Sequence, residues 1–305
     1  MSTPSRVSWT AVAPLFNFHC SSNEPIELGQ GLTIRLWRGE IHSQGPPPDF
    51  MNVMFSQTGS ASPWVQFRWV LWYTWEELQG PGAVGVASAM PVFDRAVEAL
   101  HLLHDEMVAF PFLIAGVGDP PQYGMGMSRI TYPDPPAWAR AINHPYNFQR
   151  TESEALSELL VFLTTLVARE PENAAALSLS RLALAHCRAT DADKIIDASI
   201  ALEAILLRGA EGELSYRQAV RGAHLLAGPP GIRRRNFVLL KRAYDRRSKI
   251  VHGGRDPGSP GAEEVMAITR RIVRQFVDTL RNETHQNLIA RLDAAAVTGA
   301  GLTTE

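Results

Sequence analysis

The rhythm of apolar and polar positions changes once along this chain. In the first half the apolar runs are short and turn residues cut them. Leu32-Thr33-Ile34-Arg35-Leu36-Trp37 alternates as a half-buried strand does. Residues 64–75 repeat the pattern, and Val65, Phe67, Trp69, Leu71 and Tyr73 fall on one face with period two. Phe93, Val97, Leu100 and His104 recur at helical spacing and predict a helix over 92–107. The apolar run 109–117, bounded by Gly and Pro, reads as a further strand. Between these elements lie Gly45-Pro46-Pro47-Pro48-Asp49 and Gly80-Pro81-Gly82, both turn signals.

Tyr132-Pro133-Asp134-Pro135-Pro136 and Asn143-His144-Pro145 interrupt regular structure, which sets a boundary near residue 150. Beyond it the period becomes helical. Thr151 and Glu154 have capping-box spacing, and Leu156, Leu159, Leu160, Leu163 and Leu166 form a stripe. Helices are predicted at 173–188, 191–208, 215–226, 233–252 and 261–292, with Gly- and Pro-containing turns between them. The expected fold class is therefore α+β. A β-rich mixed domain of unknown role (sensor or regulatory) spans 1–150, and an all-α bundle spans 151–305.

Composition narrows the function classes. The chain has 305 residues, 45% of them hydrophobic, enough for a core in each part. Its formal net charge is −2, so any basic site must be local. The two cysteines, Cys20 and Cys187, lie in different halves and suggest neither a disulfide framework nor a metal cluster, which suits a reducing cytoplasm. The first residues, MSTPSRVSWTAVAPLF, lack a basic run followed by an apolar stretch, and no apolar run approaches the roughly 18 residues that would span a bilayer. No signal peptide or membrane association is expected.

The positive charge is gathered in one place. Between residues 217 and 255 lie Arg217, Arg221, Arg233, Arg234, Arg235, Lys241, Arg242, Arg246, Arg247, Lys249 and Arg255, with Asp245 the only carboxylate among them. Such a stretch suits a polyanion such as RNA; a solvated helix face with acidic partners elsewhere, Glu263 and Glu264 for instance, is the alternative. Within it, Arg247 and His252 form an R-x4-H pair. A guanidinium can clamp a phosphate in bidentate fashion, and an imidazole can pass protons near neutral pH. These are two tools for cutting RNA without a metal. The glycines after His252 signal a helix C-terminus, where the helix dipole favours a cation. Five residues turn an α-helix by about 140°, so the two side chains do not share a face. They can meet a substrate only around the helix end or across a dimer axis. The spacing alone is weak, because Arg181 and His186 repeat it among apolar helix residues, where the reading is structural.

Three blocks give the pair its context: DKIIDASIALEAIL at 193–206, LSYRQAVRGAHLL at 214–226 and YDRRSKIVHG at 244–253. In order and spacing they resemble HEPN proteins of the ApeA-like kind, over roughly residues 155–285. The resemblance implies a helical bundle that forms a homodimer and a metal-independent endoribonuclease active in antiviral defence or toxin-like growth arrest. It implies no cofactor and no metal. His252 would be the general acid or base, and Arg247 would hold the phosphate. Glu203 would orient Arg247 or Arg221, with a solvated helix glutamate as the alternative. Arg221, Tyr244, Arg246, Ser248 and Lys249 would bind substrate, with packing as the alternative for Arg221 and Tyr244. Many nuclease members carry Asn, Asp or His directly after the arginine, where this chain has Ser248. A non-catalytic module that binds nucleic acid or a partner is therefore the rival, and a trigger or regulatory partner would act on the N-terminal part.

Other signals point to packing. His101 and His104 share one side of a helix, but no further ligand pattern accompanies them. Gly116-Val117-Gly118 and Gly124-Met125-Gly126 make no nucleotide-binding fingerprint. Trp64, Trp69, Trp72 and Trp75 could stack bases, but at strand spacing they read as core. Cys187 lies in an apolar helix and reads as inert.

Overall fold

A computed structural model of the chain describes residues 6–36, 68–78, 85–110, 112–119, 122–128, 144–169, 174–253 and 255–298. The layout is α+β: an antiparallel sheet followed by a helical region. The chain divides into two compact units, 1–164 and 165–305. The change near residue 150 is thus a change of secondary structure, while compactness changes inside a helix. The turn signals at 45–49, 80–82 and 132–136, and residues 64–67 with Trp64, lie outside the described residues.

The first unit is built on six strands: β1 (Arg6–Leu15), β3 (Ile26–Gly29), β4 (Leu32–Leu36), β5 (Trp69–Leu78), β6 (Phe112–Val117) and β7 (Gln122–Ser128). Their order is β3-β4-β5-β1-β6-β7, and every pairing is antiparallel. A separate parallel pair joins β2 (Phe18–Cys20) to β8 (Tyr146–Phe148). The central strand β1 has no alternating pattern over its second half because residues 10–15 are all buried. A strand covered on both faces reads as a continuous apolar run. The same holds at the start of β5, where Trp69, Val70, Leu71 and Trp72 are all buried.

On one sheet face Trp9 stacks on Trp75 at 6.0 Å and Tyr73 on Trp75 at 5.0 Å. Helix α1 (Gly85–Leu103) covers part of this face, with Phe93 edge-on to Tyr73. Residues Val12, Val70 and Trp72 cluster on the other face, and the Arg35 guanidinium lies 3.3 Å from the centre of the Trp72 ring. Helix α1 begins seven residues before the expected start, running through Pro91, and ends at Leu103.

Helix α2 (Ser153–Arg169) follows a short 3₁₀ turn at Arg150–Glu152. The cap forms two residues earlier than Thr151 and Glu154 suggest: the Glu152 carboxylate accepts the Gln149 backbone N–H at 2.8 Å. In the second unit α3 (Ala174–Cys187), α4 (Asp191–Leu206), α5 (Leu214–Leu225), α6 (Pro230–Val251), α7 (Ala262–Thr279) and α8 (His285–Thr298) form the bundle. Thr190 caps α4 by accepting the Asp193 N–H at 3.1 Å, with Asp191 and Asp193 in the first turn as the dipole favours. Helix α4 lies at the centre and packs against α3, α5, α6 and α7. Its residues Ile195, Ala198, Leu202 and Ile205 are fully buried. Burial stabilises each of the larger ones by about 1.5–3 kcal/mol.

The sequence predicts one helix over 261–292, but two are found. The chain breaks after Thr279, and Thr284 starts α8 by accepting the Asn287 N–H at 3.2 Å. The apolar period carries across the break because both helices bury a stripe, so only the capping threonine marks it.

Candidate functional site

The sequence of α6 sorts its basic residues onto two sides. At about 100° per residue, Leu240, Ala243 and Arg247 fall within about 60° of one another and face the bundle. Arg234, Lys241, Lys249 and His252 occupy a different arc of about 80°. They are all exposed, as are Arg235 and Arg242. His252 caps the helix: its backbone N–H donates to the Ser248 carbonyl, and Gly253 follows with φ of 74°. That conformation suits glycine and turns the chain away from the axis. Among the described residues the His252 imidazole has no hydrogen-bond or ion-pair partner.

Arg247 engages the bundle instead. Its Nη2 lies 3.4 Å from the Glu203 carboxylate on α4, and the two side chains are 23% and 26% exposed. The Arg247 Nε is buried and has no hydrogen-bond partner among the described residues. Burial raises the Glu203 carboxyl above its ordinary pKa, and the Arg247 charge opposes that only in part. Glu203 thus reaches Arg247 across 44 residues of sequence, one of its two expected targets. Arg247 and His252 point to different sides of the same helix.

Two arginines expected at the substrate hold the fold together. Arg221 on α5 is 2% exposed. It donates from Nε and Nη2 to both oxygens of Asp293 on α8 at 2.7 and 2.8 Å, and from Nη1 to the Leu206 carbonyl at 2.6 Å. These bonds hold the Asp293 carboxyl below the usual range. Arg246 is 3% exposed. Its Nε and Nη2 donate to Asp256 at 2.7 Å each, and its Nη1 donates to the Pro260 carbonyl. The Arg246 hydrogen bonds are the chief reason the Asp256 carboxyl falls to about 2. A guanidinium with all its edges occupied inside the protein has none left for a phosphate. Both arginines are therefore structural in this fold, because burial in a cationic stretch requires an acidic partner.

Tyr244 and Ser248 are half-buried, and Lys249 is exposed. The second R-x4-H match is committed elsewhere: Arg181 and Arg188 pair with the buried Asp197 at 3.0 and 2.7 Å, and His186 is buried. His104 pairs with Glu152 at 2.9 Å, and His101 accepts the Val108 N–H. No group of three or more His, Cys, Asp or Glu among the described residues could hold a metal. No helix among them is long and apolar enough to cross a membrane.

Sequence reasoning missed Asp256 and Asp293 as arginine partners. Asp256 reads as a turn residue in Asp256-Pro257-Gly258, a role it also fills by accepting the Gly258 N–H at 2.9 Å. Asp293 carries no signal beyond its place in an apolar helix. No family model, curated protein or solved structure matches the chain.

Proposed function

We propose that the helical unit is a metal-independent endoribonuclease of the HEPN type, working as a homodimer in the cytoplasm in defence or growth arrest, with the sheet unit receiving a trigger. The observation that carries the reading is an exposed imidazole, without a partner among the described residues, at the end of a helix whose outer arc bears Arg234, Lys241 and Lys249. A cationic arc attracts an RNA backbone, and an exposed imidazole at its end is within reach of a bound ribose. His252 takes the proton of the ribose 2′-OH. That oxygen then attacks the adjacent phosphorus, the bond to the 5′-oxygen breaks, the leaving oxygen takes up a proton from water, and the His252 imidazolium returns its proton to water. The products are a cyclic phosphate and a 5′-OH. Arg247 stabilises the charge that develops on the phosphate, with Glu203 setting its orientation.

The rival reading is a module that binds RNA or a partner without cutting it. Arg247 facing the bundle while His252 faces solvent favours that rival. The test is incubation of the full chain with labelled RNA in excess EDTA, followed by end-group analysis. Cyclic phosphate and 5′-OH ends support the nuclease. Binding without cleavage, under any trigger, supports the rival, and loss of activity with EDTA overturns the mechanism.

A further inference from the structure

Helix α6 sets an aromatic ring beside its cationic arc. At about 100° per residue, Phe237 lies about 40° from Lys241 and about 60° from Arg234 around the helix. It stands between the arc and the side that faces the bundle, and it is half-buried. Against it packs Tyr216 of α5, edge to face, with ring centroids 5.7 Å apart and planes at 74°. Tyr216 is 53% exposed, so a ring held on one side by Phe237 stays open to water on the other. The charges beside it are available. Arg234 is exposed and has no partner among the described residues. Lys241 is 48% exposed and meets its only acid, Asp245, at 3.9 Å among the described residues.

We propose that Tyr216 is a stacking platform for an unpaired base of the bound RNA, with Phe237 fixing its tilt and Arg234 and Lys241 meeting the adjacent phosphates. The inference rests on the RNA reading of the arc and names the form of RNA it takes, a single strand. A base inside a duplex has both faces covered by its neighbours and offers a lone ring nothing to stack on. A single strand leaves base faces free, and every base has one. The cations match the charge of the strand and the ring matches its bases, the two elements that single-strand sites combine. An apolar protein partner would gain from Tyr216 but would strip water from Arg234 and Lys241 without neutralising them. Phe237 precedes His252 by fifteen residues of α6, about 22 Å along the axis. The platform therefore acts on affinity, away from the reacting phosphate.

The test uses the full chain with Tyr216→Leu, which keeps apolar bulk against Phe237 but has no aromatic face, and Tyr216→Phe, which keeps the face. The probes are 2′-O-methyl RNA oligomers, which lack the attacking hydroxyl: a single strand, the same strand without its bases, and the duplex. Wild type and Tyr216→Phe should bind the single strand within about twofold of each other. Tyr216→Leu should bind it about tenfold more weakly, a loss within the range of one base–aromatic stack. On the baseless strand and on the duplex all three proteins should agree within about twofold. Equal binding of the single strand by wild type and Tyr216→Leu overturns the platform and leaves the RNA reading standing. An equal loss on the baseless strand or the duplex overturns it too, because the ring would then act through the fold. A changed oligomeric state in Tyr216→Leu with unchanged RNA affinity assigns the ring to a protein interface instead. A wild-type chain that binds none of the three probes overturns the RNA reading itself, and the platform with it.

Discussion

Replacing Glu203 by Gln should cost the fold little and the site much. The Glu203 carboxylate and the Arg247 guanidinium are 3.4 Å apart and mostly buried. At an effective dielectric constant of about 20, two unit charges at that distance attract by about 5 kcal/mol. Removing each from water costs several kcal/mol, so the terms nearly cancel. The raised pKa of Glu203 gives the sign, because burial outweighs the attraction of Arg247. A carboxyl raised in the folded state binds its proton more tightly there than in the unfolded chain. The wild type should therefore gain stability as pH falls through that raised value, and lose the gain as pH rises. The Gln variant lacks this slope. At neutral pH its stability should lie within about 1 kcal/mol of wild type, a shift of roughly 4 °C or less in Tm. Asp293→Asn is the contrast, because it leaves Arg221, 2% exposed, without its charge partner. Asp293 itself is 46% exposed, so solvent screening limits that loss to about 2 kcal/mol. Cleavage by Glu203→Gln should fall about tenfold, as Arg247 loses its orienting partner. Thermal melts of both variants across pH, run beside an RNA cleavage assay, check the reasoning. A Glu203→Gln variant as unstable as Asp293→Asn would refute it.

Gly222→Ala should destabilise the bundle by about 1–3 kcal/mol in chemical denaturation, because a Cβ there would stand 2.7 Å from Leu240 Cδ1 and 3.2 Å from Leu206 and Ile272 Cδ1. Asp256 should contribute to acid unfolding. Its carboxyl is depressed to about 2, so its stabilisation is full above the unfolded value near 3.8 and disappears as pH falls towards 2. Asp256 is about one-third exposed, so solvent screening limits the effect to about 1 kcal/mol, read as a reduced acid slope in Asp256→Asn melts.

The layers of the fold were legible where one face of an element meets water. Strand β4 and helices α3, α4 and α5 begin and end within a residue or two of their expected bounds. Strand β1 was not, since its second half is buried on both faces and has no alternation to read. The break between α7 and α8 was hidden by a continuing apolar stripe. At the site, the cationic stretch and the helix end at His252 were legible from charge and glycine. The division of labour among the arginines was not. Arg246 and Arg247 are neighbours in sequence, yet one binds the Asp256 loop from a buried position and the other meets Glu203. Only tertiary packing decides which acid lies within reach of which guanidinium. The Arg221–Asp293 pair spans 72 residues, beyond any local pattern.

The central claim is that Arg247 and His252 serve one reaction although they leave α6 on different sides. Single-turnover cleavage of RNA by purified Arg247→Ala and His252→Ala, each shown by melting to be folded, tests it most directly. The account predicts that each variant loses roughly 10²–10⁴-fold in rate and that the double variant loses hardly more, as groups acting on one transition state do. Wild-type rates in either single variant would contradict it.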